Sequence, residues 1–202
     1  MIICDVGSTV CRVDRDGKCH VVEAYVARLQ EIVGSSSFES LHDDLRSIET
    51  LRLQEQEKQG RFKLSYYTDA ARLQETVEKV LARIKGQPFG MISSVDPFNG
   101  DGLIDLLPAN VSKAFALRWW CEHLDRDPMD IIFAGDSGND LAVLTAGYRA
   151  IVVGNADRSV VEEATISHRK SGWSGRLHVA SASATSGVLE GCRFFGLIAT
   201  DE

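Results

Sequence analysis

The chain has 202 residues, of which 44% are apolar and 25% charged, and 22 basic against 29 acidic side chains give a formal net charge of −7. That length suits one sizeable domain or two small ones, and the apolar share is enough for a packed core, which excludes a disordered chain. An acidic chain without a basic block argues against nucleic acid or an anionic membrane as partner, and no apolar run approaches the roughly 20 residues of a membrane helix. Residues 1–10 show neither a positive n-region nor a signal-like cleavage site, so the expectation is a soluble, cytoplasmic protein. The cysteines agree. Cys4, Cys11, Cys19, Cys121 and Cys192 are odd in number and form no CxxC pair, which reads as isolated thiols rather than a disulfide framework or a zinc site.

Taken in chain order, residues 2–6 are a short apolar strand. Residues 10–13 and 20–22 flank Asp14-Arg15-Asp16-Gly17-Lys18 as a hairpin, with Gly17 supplying the positive φ of the turn. A Gly-Ser-Ser-Ser loop at 34–37 precedes Leu41, Leu45, Ile48 and Leu51 at helical spacing. Residues 62–67 read as a strand. Asp69 is placed to cap a helix with the apolar face Leu73, Val77, Val80 and Ile84, ended by Gln87-Pro88. A strand over 90–95 runs into the densest turn signal of the chain, Asp96-Pro97-Phe98-Asn99-Gly100-Asp101-Gly102.

Beyond that turn short apolar strands alternate with helices: strands over 103–107, 131–134 and 150–153, helices over 112–124, 141–146 and 159–164. Alternating units of this kind imply a parallel, doubly wound sheet. The expected fold class is therefore α/β, a Rossmann-like core of residues 1–10 and 101–202 interrupted by an α+β lobe over 11–100.

The strongest chemical signal is Gly135-Asp136-Ser137-Gly138-Asn139-Asp140, delivered by the apolar run Ile131-Ile132-Phe133-Ala134. In open α/β sheets ligands bind at the carboxyl ends of the strands. Asp136 and Asp140 are hard oxygen ligands suited to Mg²⁺, with phosphate oxygens and water completing the shell. The alternative is a plain strand-to-helix turn in which Asp136 and Asn139 only cap the next helix. The second signal is Lys113, just after Ser112 at the start of a helix. A cation there opposes the helix dipole unless it faces an anion, which the helix N-terminus also attracts; a solvated surface lysine is the alternative.

A lysine followed within about 25 residues by a strand and GDSGND resembles motifs three and four of the haloacid dehalogenase (HAD) superfamily of Mg²⁺-dependent phosphatases. Further stretches resemble sucrose-phosphate phosphatases and the phosphatase-like domain of sucrose-phosphate synthases: Phe62-Lys63-Leu64-Ser65-Tyr66-Tyr67, Leu106-Leu107-Pro108, Val153-Gly154-Asn155-Ala156, and the stretch from Gly187 to Gly196. The start, Ile3-Cys4-Asp5-Val6-Gly7-Ser8, is similar to that family's strand just before its α/β cap. The resemblance implies hydrolysis of a sugar phosphate, sucrose 6-phosphate first, with Mg²⁺ as cofactor. Asp136 would bind the metal, Asp140 would support it, Lys113 would neutralise the phosphoryl group, and Ser137 and Asn139 would shape the loop around the substrate. The cap of such enzymes helps select the sugar, which makes Lys63 a candidate substrate contact, against a packed strand face as the plainer reading. A sucrose-phosphate synthase is the implied protein partner.

The resemblance also implies a nucleophilic aspartate in a DxDGT motif, its second aspartate acting as general acid and base. Asp5-Val6-Gly7-Ser8-Thr9 has glycine where the second aspartate belongs, and Asp14-Arg15-Asp16-Gly17 sits in a hairpin turn rather than after a buried strand. The expectation is thus a chain truncated at its N-terminus, with both early motifs upstream of Met1. Two readings follow: an enzyme whose attacking half is supplied elsewhere, or a non-catalytic phosphatase-like module that binds a sugar phosphate or a synthase partner.

Overall fold

In the computed structural model, residues 1–96 and 99–199 are described; the tip of the expected turn at Pro97-Phe98 lies outside them. The chain divides into two compact units, Met1–Ala116 and Leu117–Glu202.

The first unit is antiparallel. Strands β1 (Ile2–Cys4), β2 (Thr9–Val13) and β3 (Cys19–Val21) form a three-stranded sheet in that order. Asp14 nucleates the expected hairpin turn: its Oδ1 accepts the N–H of Asp16 and of Lys18, and Gly17 takes φ 79°. Helices α1 (Glu23–Val33) and α2 (Phe38–Leu45) follow. The α1 helix was not among the expected elements, although Tyr25, Leu29 and Val33, its buried residues, are spaced by four. In α2 the expected face is shorter than its spacing suggests: Leu41 and Leu45 are helical and buried, while Ile48 and Leu51 lie beyond the helix end.

A four-stranded sheet follows, ordered β4-β5-β7-β6, from β4 (Arg52–Leu53), β5 (Leu64–Thr68), β6 (Phe89–Val95) and β7 (Gly102–Pro108). Helix α3 (Leu73–Ile84) packs on β6 and β7 through Thr76, Val80 and Ile84. Asp69 caps the short 3₁₀ turn ahead of α3, accepting the N–H of Ala71. The strand expected to open the parallel series, β7, does not do so. It pairs antiparallel with both β6 and β5. The reason is the connection: β6 and β7 are joined by a turn too short for a parallel crossover, which needs a dozen residues or more.

Helix α4 (Lys113–His123) carries the boundary between the units. The second unit is the parallel part: β8 (Ile132–Gly135), β9 (Arg149–Val152) and β10 (Leu177–Val179) form a sheet ordered β10-β9-β8. Successive strand residues face opposite sides, and both sides of β9 are covered. Ala150 and Val152 pack with Leu144 of α5 (Leu141–Leu144) and with Val160 and Ala164 of α6 (Arg158–Lys170). Ile151 and Val153 pack with Ala180 and, from α7 (Ala184–Phe194), Val188 and Cys192. Among the described residues β8 pairs with β9 alone, and its four residues are all half-buried.

Candidate active site

The loop that leaves β8 is built from the inside out. Gly135 ends the strand, and a Cβ there would lie 2.6 Å from the Cβ of Asp140, so only glycine lets Asp140 fold back over the strand end. Asp140 is buried, and its Oδ2 accepts the Ser137 hydroxyl at 3.0 Å and the Asp136 N–H at 3.4 Å. One carboxylate thus closes the loop on itself. The backbone adds the Asp140 N–H to the Ser137 carbonyl at 2.9 Å.

Asp136 has the opposite exposure. It is solvent-facing, and its Oδ2 accepts one side-chain hydrogen bond, from Asn155 Nδ2 at 3.2 Å. Neither Asp136 nor Asn139 caps the helix that follows: the 3₁₀ turn Gly138–Asp140 and α5 both start without a side-chain cap bond. The plain capping reading of this loop is therefore set aside by the geometry. Asn139 is exposed and makes no side-chain hydrogen bond among the described residues. No group of three or more His, Cys, Asp or Glu side chains is placed to hold a metal among the described residues. An exposed carboxylate with one oxygen uncommitted among the described residues, backed by a second carboxylate, still fits Mg²⁺, which takes one or two protein carboxylates and keeps water and phosphate for the rest of its shell.

Asn155 is the residue that sequence reasoning missed. Its signal was present only as part of the Val153-Gly154-Asn155-Ala156 likeness. It stands 19 residues from Asp136, on the turn after β9, and parallel pairing brings the carboxyl ends of β8 and β9 to one edge.

In the first unit, residues 5–7 form a left-handed turn, with φ of 51° at Asp5, 58° at Val6 and 105° at Gly7. A Cβ on Gly7 would lie 2.2 Å from the carbonyl carbon of Ser112 and 2.6 Å from the N of Lys113. Glycine at position 7 is thus a packing requirement of the backbone that leads into α4. The buried Tyr25 hydroxyl donates to the Gly7 carbonyl at 2.6 Å and fixes the turn; burial pushes that phenol's pKa well up. Ser112 caps α4, its Oγ accepting the Phe115 N–H at 3.2 Å, which leaves half-buried Lys113 in the first turn as expected.

Lys63, on the approach to β5, is nearly enclosed. Its side chain is 11% exposed, and Nζ lies 3.9 Å from carboxylate oxygens of both Asp5 and Asp105. The other oxygen of Asp5 accepts the Thr9 hydroxyl at 2.8 Å. Lys63 also lines an open cavity of about 820 Å³ within this unit, together with Gln30, Glu39, His42, Gln59 and Arg61. Asp14, the other letter-match to a nucleophile, spends both oxygens on its hairpin: Oδ2 pairs with His20 Nε2 at 2.7 Å, and these contacts lower its pKa.

Comparison with known proteins then places the chain. Its fold is that of HAD-type hydrolases: it matches the crystal structure of the sucrose-phosphatase of Synechocystis sp. PCC6803 in complex with sucrose and phosphate at TM-score 0.69 and 23% identity, over 95% of this chain and 72% of that one. A HAD-like hydrolase of Bacillus subtilis matches at TM-score 0.59 and 16% identity, over 94% and 66% of the two chains. The model of the sucrose-6F-phosphate phosphohydrolase family matches residues 1–196, and the chain belongs to that family, within the HAD superfamily. Among curated relatives, a HAD-like hydrolase of Nitrosococcus oceani is 37% identical over 163 residues, 79% of this chain and 44% of that protein. A mannosylfructose-phosphate phosphatase of Agrobacterium fabrum is 30% identical over 159 residues, 77% of this chain and 58% of that protein. The chain thus spans about half the length of the curated relatives it matches.

Proposed function

We propose that this chain carries the metal- and phosphate-binding half of a Mg²⁺-dependent sugar-phosphate phosphatase site, with a phosphorylated disaccharide, sucrose 6-phosphate first, as substrate. The observation that carries the reading is Asp136: an exposed carboxylate at the end of a parallel strand, held from one side by an amide and from below by the self-closing Asp140 loop. Relatives named for sucrose phosphate and mannosylfructose phosphate support the substrate class. Asp136 would hold the metal, with Asp140 keeping the loop in shape. When bound, Mg²⁺ supplies charge stabilisation to the phosphoryl oxygens. Lys113 would neutralise the phosphate beside the N–H groups that open α4, a local cation that a chain of net charge −7 needs. Ser137 and Asn139 line the loop that the phosphate meets.

The attacking carboxylate of such a reaction is best assigned to a segment outside these 202 residues. Asp5 is tied to Thr9 and Lys63, and Asp14 to its own turn. An apolar parallel strand with one side unpaired among the described residues, as β8 has, is where a further strand would add. We propose a core and a cap, with the open cavity beside Lys63 taking the sugar; the expected bounds, 1–10 and 101–202 against 11–100, would cut strand β2 and part β7 from β5 and β6, so they are not kept. Five free thiols fit a reducing cytoplasm, where a sucrose-phosphate synthase would supply the substrate.

The test is phosphate release from sucrose 6-phosphate and a sugar-phosphate panel. One arm uses the 202-residue chain; the other uses it joined to the N-terminal segment of the Nitrosococcus relative. Mg²⁺-dependent release by the joined form alone, lost in Asp136→Ala, is the expected result. Release by the short chain alone would move the nucleophile into it. No release from a folded joined form would count against phosphatase chemistry.

A further inference from the structure

We infer that Asn155 is the positioning residue of Asp136, fixing which carboxylate oxygen faces the metal. This rests on reading Asp136 as a metal ligand.

The amide of Asn155 has two ends, and the structure assigns each. Its Oδ1 accepts the backbone N–H of Ala184 at 2.7 Å. A backbone N–H only donates, so the acceptor end must face it and the NH₂ must face Asp136. Asp136 Oδ2 therefore receives a neutral donor, and Oδ1 is left to point away from it. Partners that orient a metal-binding carboxylate without adding charge are the usual means of fixing such a ligand.

The Ala184 N–H is itself held in place. Ala184 opens α7 with φ 49°, and the loop before it is clamped from three sides. Glu190, one and a half turns into α7, accepts the N–H groups of Ser181 and Ala182, the Ser181 hydroxyl and His178 Nε2, all at 3.0 or 3.1 Å. On the other side Gly154 donates to the Ala182 carbonyl at 2.8 Å, and a Cβ there would lie 2.6 Å from the Ser181 oxygen. A Cβ on Gly187 would lie 2.2 Å from the Ala182 oxygen. The loop cannot shift without breaking these contacts, so the amide of Asn155 hangs from a fixed point and transmits that fixity to Asp136.

Mn²⁺ serves as the probe, read by paramagnetic broadening of the amide signals of residues 135–140 in the 202-residue chain. Wild type should broaden selectively there, and Asp136→Asn should not; broadening that survives Asp136→Asn overturns the metal reading itself. With that control in hand, Asn155→Ala should need about tenfold or more Mn²⁺ for the same broadening, the lower bound for losing an orienting partner. Glu190→Gln loosens the same loop without touching Asp136, and should leave the Mn²⁺ dependence closer to wild type than Asn155→Ala does. Unchanged broadening in folded Asn155→Ala overturns the inference. If that variant does not fold, Asn155→Asp keeps an acceptor for Ala184 and sets a second carboxylate beside the first. Tighter Mn²⁺ binding by Asn155→Asp supports the placement, and unchanged binding overturns it.

Discussion

Two carboxylate clusters, one in each unit, show how differently the same side chains are used. Around Lys63 two carboxylates share one enclosed ammonium, and a hydroxyl occupies a further oxygen. Around Asp136 one neutral amide holds one oxygen, and the rest faces water. The first cluster is nearly saturated and carries a net charge of −1, so it repels an anion and can offer a sugar only hydrogen bonds. The second leaves coordination capacity open at a strand end. On the proposed reading, chemistry that needs a cation and a phosphate would belong to the unsaturated cluster, while the saturated one would hold its corner of the first unit together and offer a sugar hydrogen bonds alone.

The sharpest way to break this contrast is to remove the open carboxylate. Asp136→Ala in a catalytically complete form should lower kcat/KM about 10³-fold, since several kcal/mol of metal-borne stabilisation at 1.36 kcal/mol per decade would be lost. Its Tm should stay near wild type, because the side chain is exposed. Thermal melts beside phosphate-release assays check both. Activity within tenfold of wild type would return Asp136 to a mere loop residue. Next in size, Gly7→Ala strains a φ of 105° and drives a Cβ into the Ser112 backbone. Strain and overpacking together predict a loss of about 3 kcal/mol, read as a lower urea midpoint.

Much of the open cluster was legible because its parts are close in sequence. A buried apolar run, a glycine and two carboxylates four apart need only local geometry to form a site, and Asp136 and Asp140 stand where that pattern puts them. Asn155 was not legible, because its partner is 19 residues away and its orientation depends on Ala184, 29 residues further on. The same limit hid the pairing of β7. Its residues read correctly as a strand, but partner choice is set by the preceding turn and by β5, and alternation of strands and helices along the chain does not encode either. Lys63 was expected within a strand over 62–67 and stands just ahead of β5, and its two carboxylate neighbours, Asp5 and Asp105, come from opposite ends of the first unit's sequence.

The saturated cluster makes its own prediction. Lys63→Met keeps most of the unbranched side chain and leaves Asp5 and Asp105 without their shared cation. Because Asp5 is about a third exposed, the full cost of an orphaned buried charge is discounted by solvent screening, to about 1–2 kcal/mol. Adding Asp105→Asn to Lys63→Met should recover part of that loss in chemical denaturation. A double variant as unstable as the single one would mean that the two carboxylates left without a shared cation do not account for the loss.

The smallest effect is a pH dependence within the second unit. Glu190 accepts from two backbone N–H groups, a hydroxyl and an imidazole, and these bonds lower its pKa from 4.5 to about 2. A depressed folded-state pKa contributes stability that is fully present above the unfolded value and is lost as pH falls through the folded one. The latch should therefore be intact at pH 6 and weaken between about pH 4.5 and pH 2. Glu190→Gln removes the carboxylate at every pH. The Tm difference between wild type and this variant should be largest near neutrality and shrink across that acid window, with amide exchange at Ser181 and Ala182 following it. A difference that stays constant down to pH 2 would show that the loop is held by its packing against Gly154 and Gly187, with the charge of Glu190 contributing nothing to the support of Asn155.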